Sequence, residues 1–451
     1  MELVPSFLQL LQPFSSAMTS PTFASFTTLL AGWSFARRHT VSGALLAADG
    51  LHDKHHSAYH RVFSAARWDL QAVGLGLLDL ILRLALASDA TVYLVIDDTL
   101  CRRTGRKIFG VGMHYDPLLT GRKLSNANKS LKSRGHCWVI LGVVVVLPLR
   151  PGFYFCLPVL FRLCLNKRSA AKHHQCYRSR PELGRQMLQI VCQRYPQRHF
   201  HLLVDSAYGG QETLRSLPAN CDLTARWLLD VRLCEPAVPK AKSQKGPQPK
   251  RGAALPSPRQ MLQQRCRQVE LDGYGQHRRY RIHDTLGCLY TVPQRLLRLV
   301  VSEPLSPSGH PRPKEQACFY STVTDTDAQQ VLSGFAPRWS VEVTIHDTKQ
   351  QLGLQQPQNR SEPAVRRTAP VLMLLYSVVV LWFATAGHRH WRAPRRPWYP
   401  SKRQASFADM LGTLRDQMVR HHLHQMLRPR SFTEGLRKTL KLTLRLVRQA
   451  A

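Results

Sequence analysis

The sequence predicts an α/β fold, a mixed sheet flanked by helices, and three observations carry that prediction. Short apolar runs of strand type recur at Thr91–Ile96, Cys137–Leu147, Phe153–Leu160 and His199–Val204. A helical pattern separates the third run from the fourth, and further helix and strand patterns follow, giving strand, strand, strand, helix, strand, helix, strand. Two of the runs lead directly into acids, Asp97-Asp98 and Asp205.

Residues 1–88 read as a helical N-terminal domain. Apolar positions recur at helical spacing in Phe23–Phe35 and in Leu70–Leu86. Between them, Ser42–Gly50 and Asp53–Arg61 suggest helix, turn, helix, with Lys54, His55, Arg61 and Arg67 on or beside the second helix. That pattern fits a DNA-reading unit and fits plain helical packing as well.

The run Thr91–Ile96 is apolar on both alternating faces, as expected of a central, covered strand. Cys137–Leu147 and Phe153–Leu160 supply the next two strands. Glu182–Arg194 is amphipathic, with Pro181 suited to its start and Pro196 just beyond its end, although Gly184 weakens its first turn. His199–Val204 is the next strand, followed by a helix near Gln211–Ser216 and a strand near Leu223–Val231.

Residues 236–260 break the pattern with six prolines, six Lys or Arg and no acid, which marks an exposed linker or loop. Val269–Gly275 and Arg278–His283 alternate like a surface hairpin, and residues 236–296 read as an insertion. Leu297–Val301 and Cys318–Val323 suggest further strands. The tail from residue 388 to 451 is basic, with an amphipathic helix expected over Phe407–His421.

Charge indicates the partner. Lys and Arg number 63 against 28 Asp and Glu, a formal charge of +35 spread along the chain. A polyanion is the natural partner, nucleic acid first and acidic lipid second. A hydrophobic content of 44% excludes general disorder. Eleven cysteines without a Cys-x-x-Cys pair argue against a zinc ribbon or a secreted disulfide framework. His52, His55, His56, His173, His174, His421, His422 and His424 lack the companions of a zinc site. No phosphate-binding Gly-rich motif occurs, so nucleotide hydrolysis is not suggested. The N-terminus does not resemble a signal peptide. Thr368–Gly387 is uncharged and long enough for a membrane span, but a buried core helix is the expected reading, with no membrane partner.

Asp98 and Asp205 each follow an apolar run, where ligand sites form in open α/β sheets. Either acid alone equally fits a turn cap. Asp97 points to the face opposite Ile96 and Asp98, which suggests a supporting or capping group. A third acid lies in Arg338-Trp-Ser-Val-Glu342-Val-Thr-Ile-His-Asp-Thr-Lys349. On a helix, Arg338, Glu342 and Lys349 fall within about 40° of one another, and Pro337 suits the first turn. A solvated, ion-paired helix fits this stripe too. Acids brought together repel unless a cation or a raised pKa relieves them. Mg²⁺ suits such a cluster, and two ions suit phosphodiester chemistry.

Taken together, Ile96-Asp97-Asp98-Thr99 with downstream Lys107, then Val204-Asp205-Ser206-Ala207-Tyr208, then Arg338, Glu342 and Lys349-Gln-Gln-Leu-Gly-Leu354 resemble a bacterial insertion-sequence transposase of the DDE superfamily, in the branch with a Tyr–Arg–Glu–Lys signature. The resemblance covers about residues 90–385. It implies a ribonuclease-H-like catalytic domain at 89–387 with a β-rich insertion before the glutamate helix. It implies Asp98, Asp205 and Glu342 as catalytic metal ligands for two Mg²⁺ or Mn²⁺ ions. Double-stranded DNA, at transposon ends and target, is the implied partner, with a homodimer in the DNA complex and a cytoplasmic, nucleoid-associated location. Arg338 and Lys349 are then expected to contact DNA phosphate near the cleaved end. At the signature tyrosine position this chain has Phe335, which keeps a ring and loses the hydroxyl.

Arg102, Arg103, Arg106 and Lys107 follow the first acids, and Arg122, Lys123, Lys129, Lys132 and Arg134 follow in turn. These loops are expected to hold DNA phosphate. A nuclease without strand transfer, or an inactive DNA-binding relic, remains the alternative to a transposase.

Overall fold

The computed structural model describes residues 2–49, 54–105, 107–119, 131–240, 246–273, 276–393, 397, 400–427 and 436. His52, Asp53, Arg106, Arg122, Lys123 and Lys129 lie outside the described residues.

Five helices come first: α1 (Pro5–Leu11), α2 (Ser20–Phe35), α3 (Val41–Ala48), α4 (His56–Ser64) and α5 (Leu70–Ala85). Thr40 caps α3, its hydroxyl accepting from the Gly43 amide at 3.0 Å. Asp69 caps α5 through the amides of Gln71 and Ala72. Lys54 turns back onto α2, donating to the Ser25 hydroxyl at 3.1 Å, while Arg61 and Arg67 stay exposed.

The sheet begins with β1 (Val92–Arg102), β2 (Gly112–Tyr115), β3 (Lys132–Val146) and β4 (Tyr154–Cys164). Then come α6 (Lys167–Lys172), α7 (Arg180–Arg194), β5 (Phe200–Val204), α8 (Gln211–Arg215) and β6 (Cys221–Trp227). β3 runs antiparallel to β1 and β4, while β1, β5 and β6 are parallel. The spatial order β4-β3-β1-β5-β6, with helices on both faces, is that of a ribonuclease-H-like sheet. β1 and β3 are buried apolar strands, as both-face coverage requires.

Beyond β6 come β7 (Leu233–Cys234), β8 (Ala254–Leu255), α9 (Pro258–Met261), β9 (Arg267–Gly273), β10 (Gln276–Leu289), β11 (Val292–Pro304) and β12 (Ala317–Ser321). β12 pairs antiparallel with β6, and β11 and β10 continue outward, so the β-rich segment extends the same sheet. The chain then enters α10 (Ala328–Phe335), α11 (Ser340–Gln351), α12 (Glu362–Thr385) and α13 (Phe407–Leu427).

The uncharged stretch is α12, with mean hydropathy 1.9 over a window that is 89% buried. It packs on β4 and against α4, α5, α1 and α13. Its apolar side chains therefore meet protein on nearly every side, as in a core helix. α5 lies so close to β4 that a Cβ at Gly74 would stand 2.1 Å from the Val159 carbonyl oxygen.

Several expected boundaries move: β3 begins at Lys132, ahead of Cys137, β4 runs on to Cys164, and α13 runs on to Leu427. β1 does not stop at Ile96: antiparallel pairing continues from Leu94↔Val143 to Arg102↔Gly135, which carries the strand straight through both acids. β6 ends at Trp227, short of Val231. Arg338 precedes α11, in a 3₁₀ turn over Ala336–Trp339 that holds Pro337.

Candidate active site

Parallel pairing sets the geometry of the acids. β1 and β5 are joined from Val92↔Phe200 to Val95↔Leu203, and beyond that they part. Continuing this register puts Asp97, in the middle of β1, level with Asp205, just past the carboxyl end of β5, on one face of the sheet. Val95 and Leu203 on that face pack with Val144, Cys156 and Val341. Val341 belongs to α11, so α11 covers the face on which Asp97 and Asp205 emerge. The Thr344 hydroxyl fixes α11 to β4 by donating to the Cys156 carbonyl at 2.8 Å.

Arg338 joins three acids from three elements. Its Nη2 is 2.9 Å from Asp97 Oδ2 and 3.9 Å from Asp205 Oδ2, and its Nη1 is 2.5 Å from Glu342 Oε1. The guanidinium is 12% exposed and Asp97 15%, whereas Asp205 and Glu342 are about one-third exposed. Burial pushes the Asp97 carboxyl up to about 7; Arg338 opposes this, and the charges of Asp205 and Asp98 add to it. Burial disfavours the charge on Arg338, but the surrounding acids prevail and raise its pKa.

Asp205 sits in a tight turn. Its Oδ1 accepts from the Ala207 amide at 3.0 Å, while Oδ2 faces Arg338. The Gly209 carbonyl accepts from Trp227 Nε1 at 2.8 Å and from the Tyr320 hydroxyl at 2.7 Å, which anchors that turn to β6 and β12. The turn-capping reading of Asp205 and the acid-cluster reading therefore hold at once, one for each carboxylate oxygen.

Asp98 was expected to meet Asp205 and Glu342, yet the acid that shares Arg338 with them is Asp97. The pleat of β1 sends Asp98 to the other face, beneath α7. There Arg180 Nη1 lies 3.0 and 2.9 Å from its two carboxylate oxygens, the Tyr208 hydroxyl donates at 2.8 Å, and Cys137 Sγ is 3.5 Å away. Gly184 lets α7 approach, since a Cβ there would meet Ile96 at 3.1 Å and Tyr208 at 3.2 Å. Burial, then the charge of Asp98, raises the Tyr208 phenol far above its ordinary value. Sequence reasoning gave Asp97 only a supporting or capping role and did not single out Arg180 or Tyr208 as partners of Asp98. A signal for the first existed: Leu94-Val-Ile-Asp97 and Leu202-Leu-Val-Asp205 are matching segments, three apolar residues and then an acid, and the two strands pair in parallel in that register.

The other expected DNA contacts divide. Phe335 closes α10 and meets Phe319 edge-on, ring centroids 5.0 Å apart. With Asp205, Arg226, Arg338, Trp339 and Glu342 it lines a concavity of about 650 Å³. Lys349 lies two turns beyond Glu342 on α11, close enough for its charge to act on Cys101 of β1. Lys107 belongs to a different, basic hollow.

The family model described as DDE superfamily endonuclease matches residues 24–286, more than half of the chain. The chain belongs to that family. No curated protein matches it. The matched region of this DDE superfamily protein contains Asp97, Asp98 and Asp205 and stops before Arg338 and Glu342.

DDE superfamily enzymes act on DNA and use divalent metal ions. Among the described residues no three acids are already arranged around a metal position; the Arg338 guanidinium lies between Asp97, Asp205 and Glu342 instead. The donor set still fits a hard divalent cation. It offers carboxylate oxygens only, and three acids share one guanidinium, so an uncompensated charge is held off partly by the raised pKa of Asp97.

Proposed function

We propose that this chain is a DNA transposase whose metal-holding acids are Asp97, Asp205 and Glu342. The observation that carries the proposal is the single guanidinium of Arg338 shared by acids from β1, the β5 turn and α11. An arginine in that place marks where positive charge is needed. Mg²⁺ or Mn²⁺ bound by these acids supplies Lewis acidity toward a phosphodiester and its attacking water or 3′-hydroxyl.

The chain's own residues then have defined tasks. Arg338 turns from the carboxylates to a DNA phosphate, for which its planar fork is suited. Lys349 steadies the backbone further along α11. Phe335 and Trp339 present rings on the rim of the cleft, and Arg226 adds charge to its wall. Asp98, clamped by Arg180 and Tyr208, holds β1 and the Asp205 turn in fixed relation and so positions Asp97. The protein acts as a homodimer on DNA, since two transposon ends must be joined to one target.

The test is Mg²⁺-dependent cleavage of duplexes carrying the repeats that border the gene. Wild type is expected to nick the repeat ends and to join the 3′-hydroxyl to target DNA, while Asp97→Asn, Asp205→Asn and Glu342→Gln do neither. Full activity in Asp97→Asn would remove that residue from the metal set and return the place to Asp98. Cleavage without joined products would favour a nuclease, a reading that the family's endonuclease description supports.

A further inference from the structure

A second concavity, of about 910 Å³, gathers cations and no carboxylate. Arg37 and Arg38 come from the turn between α2 and α3, Arg102, Arg103 and Lys107 from the end of β1 and beyond, and Arg360 from the segment between α11 and α12. Three stretches distant in sequence are thus needed to build it.

Hydrogen bonds lock these stretches together. The His39 amide donates to Gln356 Oε1 at 2.7 Å, the Arg103 guanidinium donates to the Gln355 carbonyl, and the Phe109 amide donates to the Arg360 carbonyl at 3.0 Å. Arg102 is paired with Asp116 at 2.6 Å. Among the described residues, no carboxylate lies within ion-pair distance of Arg37, Arg38, Arg103, Lys107 or Arg360. Such a hollow concentrates positive potential and attracts an extended polyanion.

Its position fits one substrate. Arg103, whose amide continues the β1–β3 ladder by donating to the Arg134 carbonyl at 3.0 Å, follows Asp97 by six residues, about 20 Å at roughly 3.3 Å per residue, and the pleat turns both to one face. A duplex advances about 3.4 Å per base pair, so the two places lie about six base pairs apart along DNA. We propose that this hollow is a second phosphate-binding groove, which holds the backbone of duplex DNA flanking the bond cut at Asp97, Asp205 and Glu342. The proposal rests on the DNA reading of the acid site. The groove presents guanidinium and ammonium groups to phosphate, so it grips every sequence alike.

The experiment compares wild type, Arg37→Ala/Arg38→Ala and Arg360→Ala, each checked for an unchanged melting temperature. Anisotropy titrations against salt use a long labelled duplex and a short one that ends before the groove; cleavage of the long duplex is followed in parallel. The double variant is expected to bind the long duplex about tenfold or more weaker at ~0.1 M salt, with the slope of log K against log salt reduced by about two. Arg360→Ala is expected to reduce the slope by about one, and binding of the short duplex stays at the wild-type level. Unchanged affinity and slope in both variants, while wild type still cleaves, would overturn the groove and leave the acid site standing. Loss of affinity in the variants without any cleavage by wild type would sustain the groove and sink the acid-site reading. No binding of either duplex by wild type would end both.

Discussion

Nη2 of Arg338 stands 2.9 Å from Oδ2 of Asp97 across 241 positions of sequence. One is in the turn that starts α11, the other in the middle of the central strand. Their contact makes a buried carboxyl beside two other acids tolerable, on the face to which the pleat of β1 turns Asp97 and not Asp98.

Substituting the acids one at a time separates the faces of β1. Asp97→Asn, Asp205→Asn and Glu342→Gln are each expected to lower metal-dependent cleavage by about 10³-fold or more, the scale on which an essential group is felt. Asp98→Asn, which acts through positioning, is expected to cost only about 10- to 100-fold. Gel-based cleavage rates at saturating Mg²⁺ decide this, and equal losses at Asp97 and Asp98 would erase the distinction.

Asp97 also makes stability depend on pH. Its carboxyl is pushed up to about 7 in the folded chain and titrates near 3.9 when unfolded. Between those values the folded chain keeps a proton that the unfolded chain has released, so stability falls as pH rises from about 4 to about 7. Urea midpoints for wild type are expected to drop from pH 5 to pH 8, and Asp97→Asn is expected to flatten that drop. A slope unaltered by the substitution would assign it elsewhere.

Removing Arg338 leaves the acids without their internal cation. Arg338→Ala is expected to destabilise the protein by about 2–4 kcal/mol, more at pH 8 than at pH 5, since Asp97 is charged at the higher value. Added Mg²⁺ is expected to restore part of the loss in thermal melts, because a ligand that binds only the folded chain stabilises it. A melting temperature that ignores Mg²⁺ in both proteins would count against the metal-holding set.

On the other face, Asp98 is satisfied by Arg180 and Tyr208. Tyr208→Phe is expected to cost about 1–2 kcal/mol by leaving a part-buried acceptor short of one donor. Arg180 is 43% exposed, which limits Arg180→Ala to about 1–2 kcal/mol. Combined with Asp98→Asn, either change is expected to cost less than the sum of the two single substitutions, because they break one network. Denaturant melts of the double-mutant cycles measure this.

The middle of α12 is core. Leu375, 1% exposed, is expected to lose about 2–5 kcal/mol on substitution by Ala, seen as a lower urea midpoint in detergent-free buffer. A lipid-facing leucine would show no such loss there.

Much of this architecture was legible because burial leaves a pattern. Strands β3, β4 and β5 read as apolar runs, α7 as an amphipathic run bracketed by Pro181 and Pro196, and α12 as a helix apolar all round. The end of β1 was not legible. Asp97 and Asp98 look like the stop of a strand, yet backbone pairing with β3 carries the chain to Arg102 whatever the side chains are. The stripe of Arg338 and Glu342 was visible from spacing, but not the 3₁₀ turn that holds Arg338.

By itself, then, the sequence determined the α/β class and the basic character that selects a polyanion, and it offered the acids from which the proposed site is drawn, because each follows from local periodicity or composition. Only the tertiary structure decided that Asp97 rather than Asp98 shares a cation with Asp205 and Glu342, and that Arg37, Arg103 and Arg360 line one hollow. Those outcomes depend on the register between parallel strands and on how distant segments dock. Register and docking are set by packing across the whole sheet, where a shift of one residue exchanges the two faces.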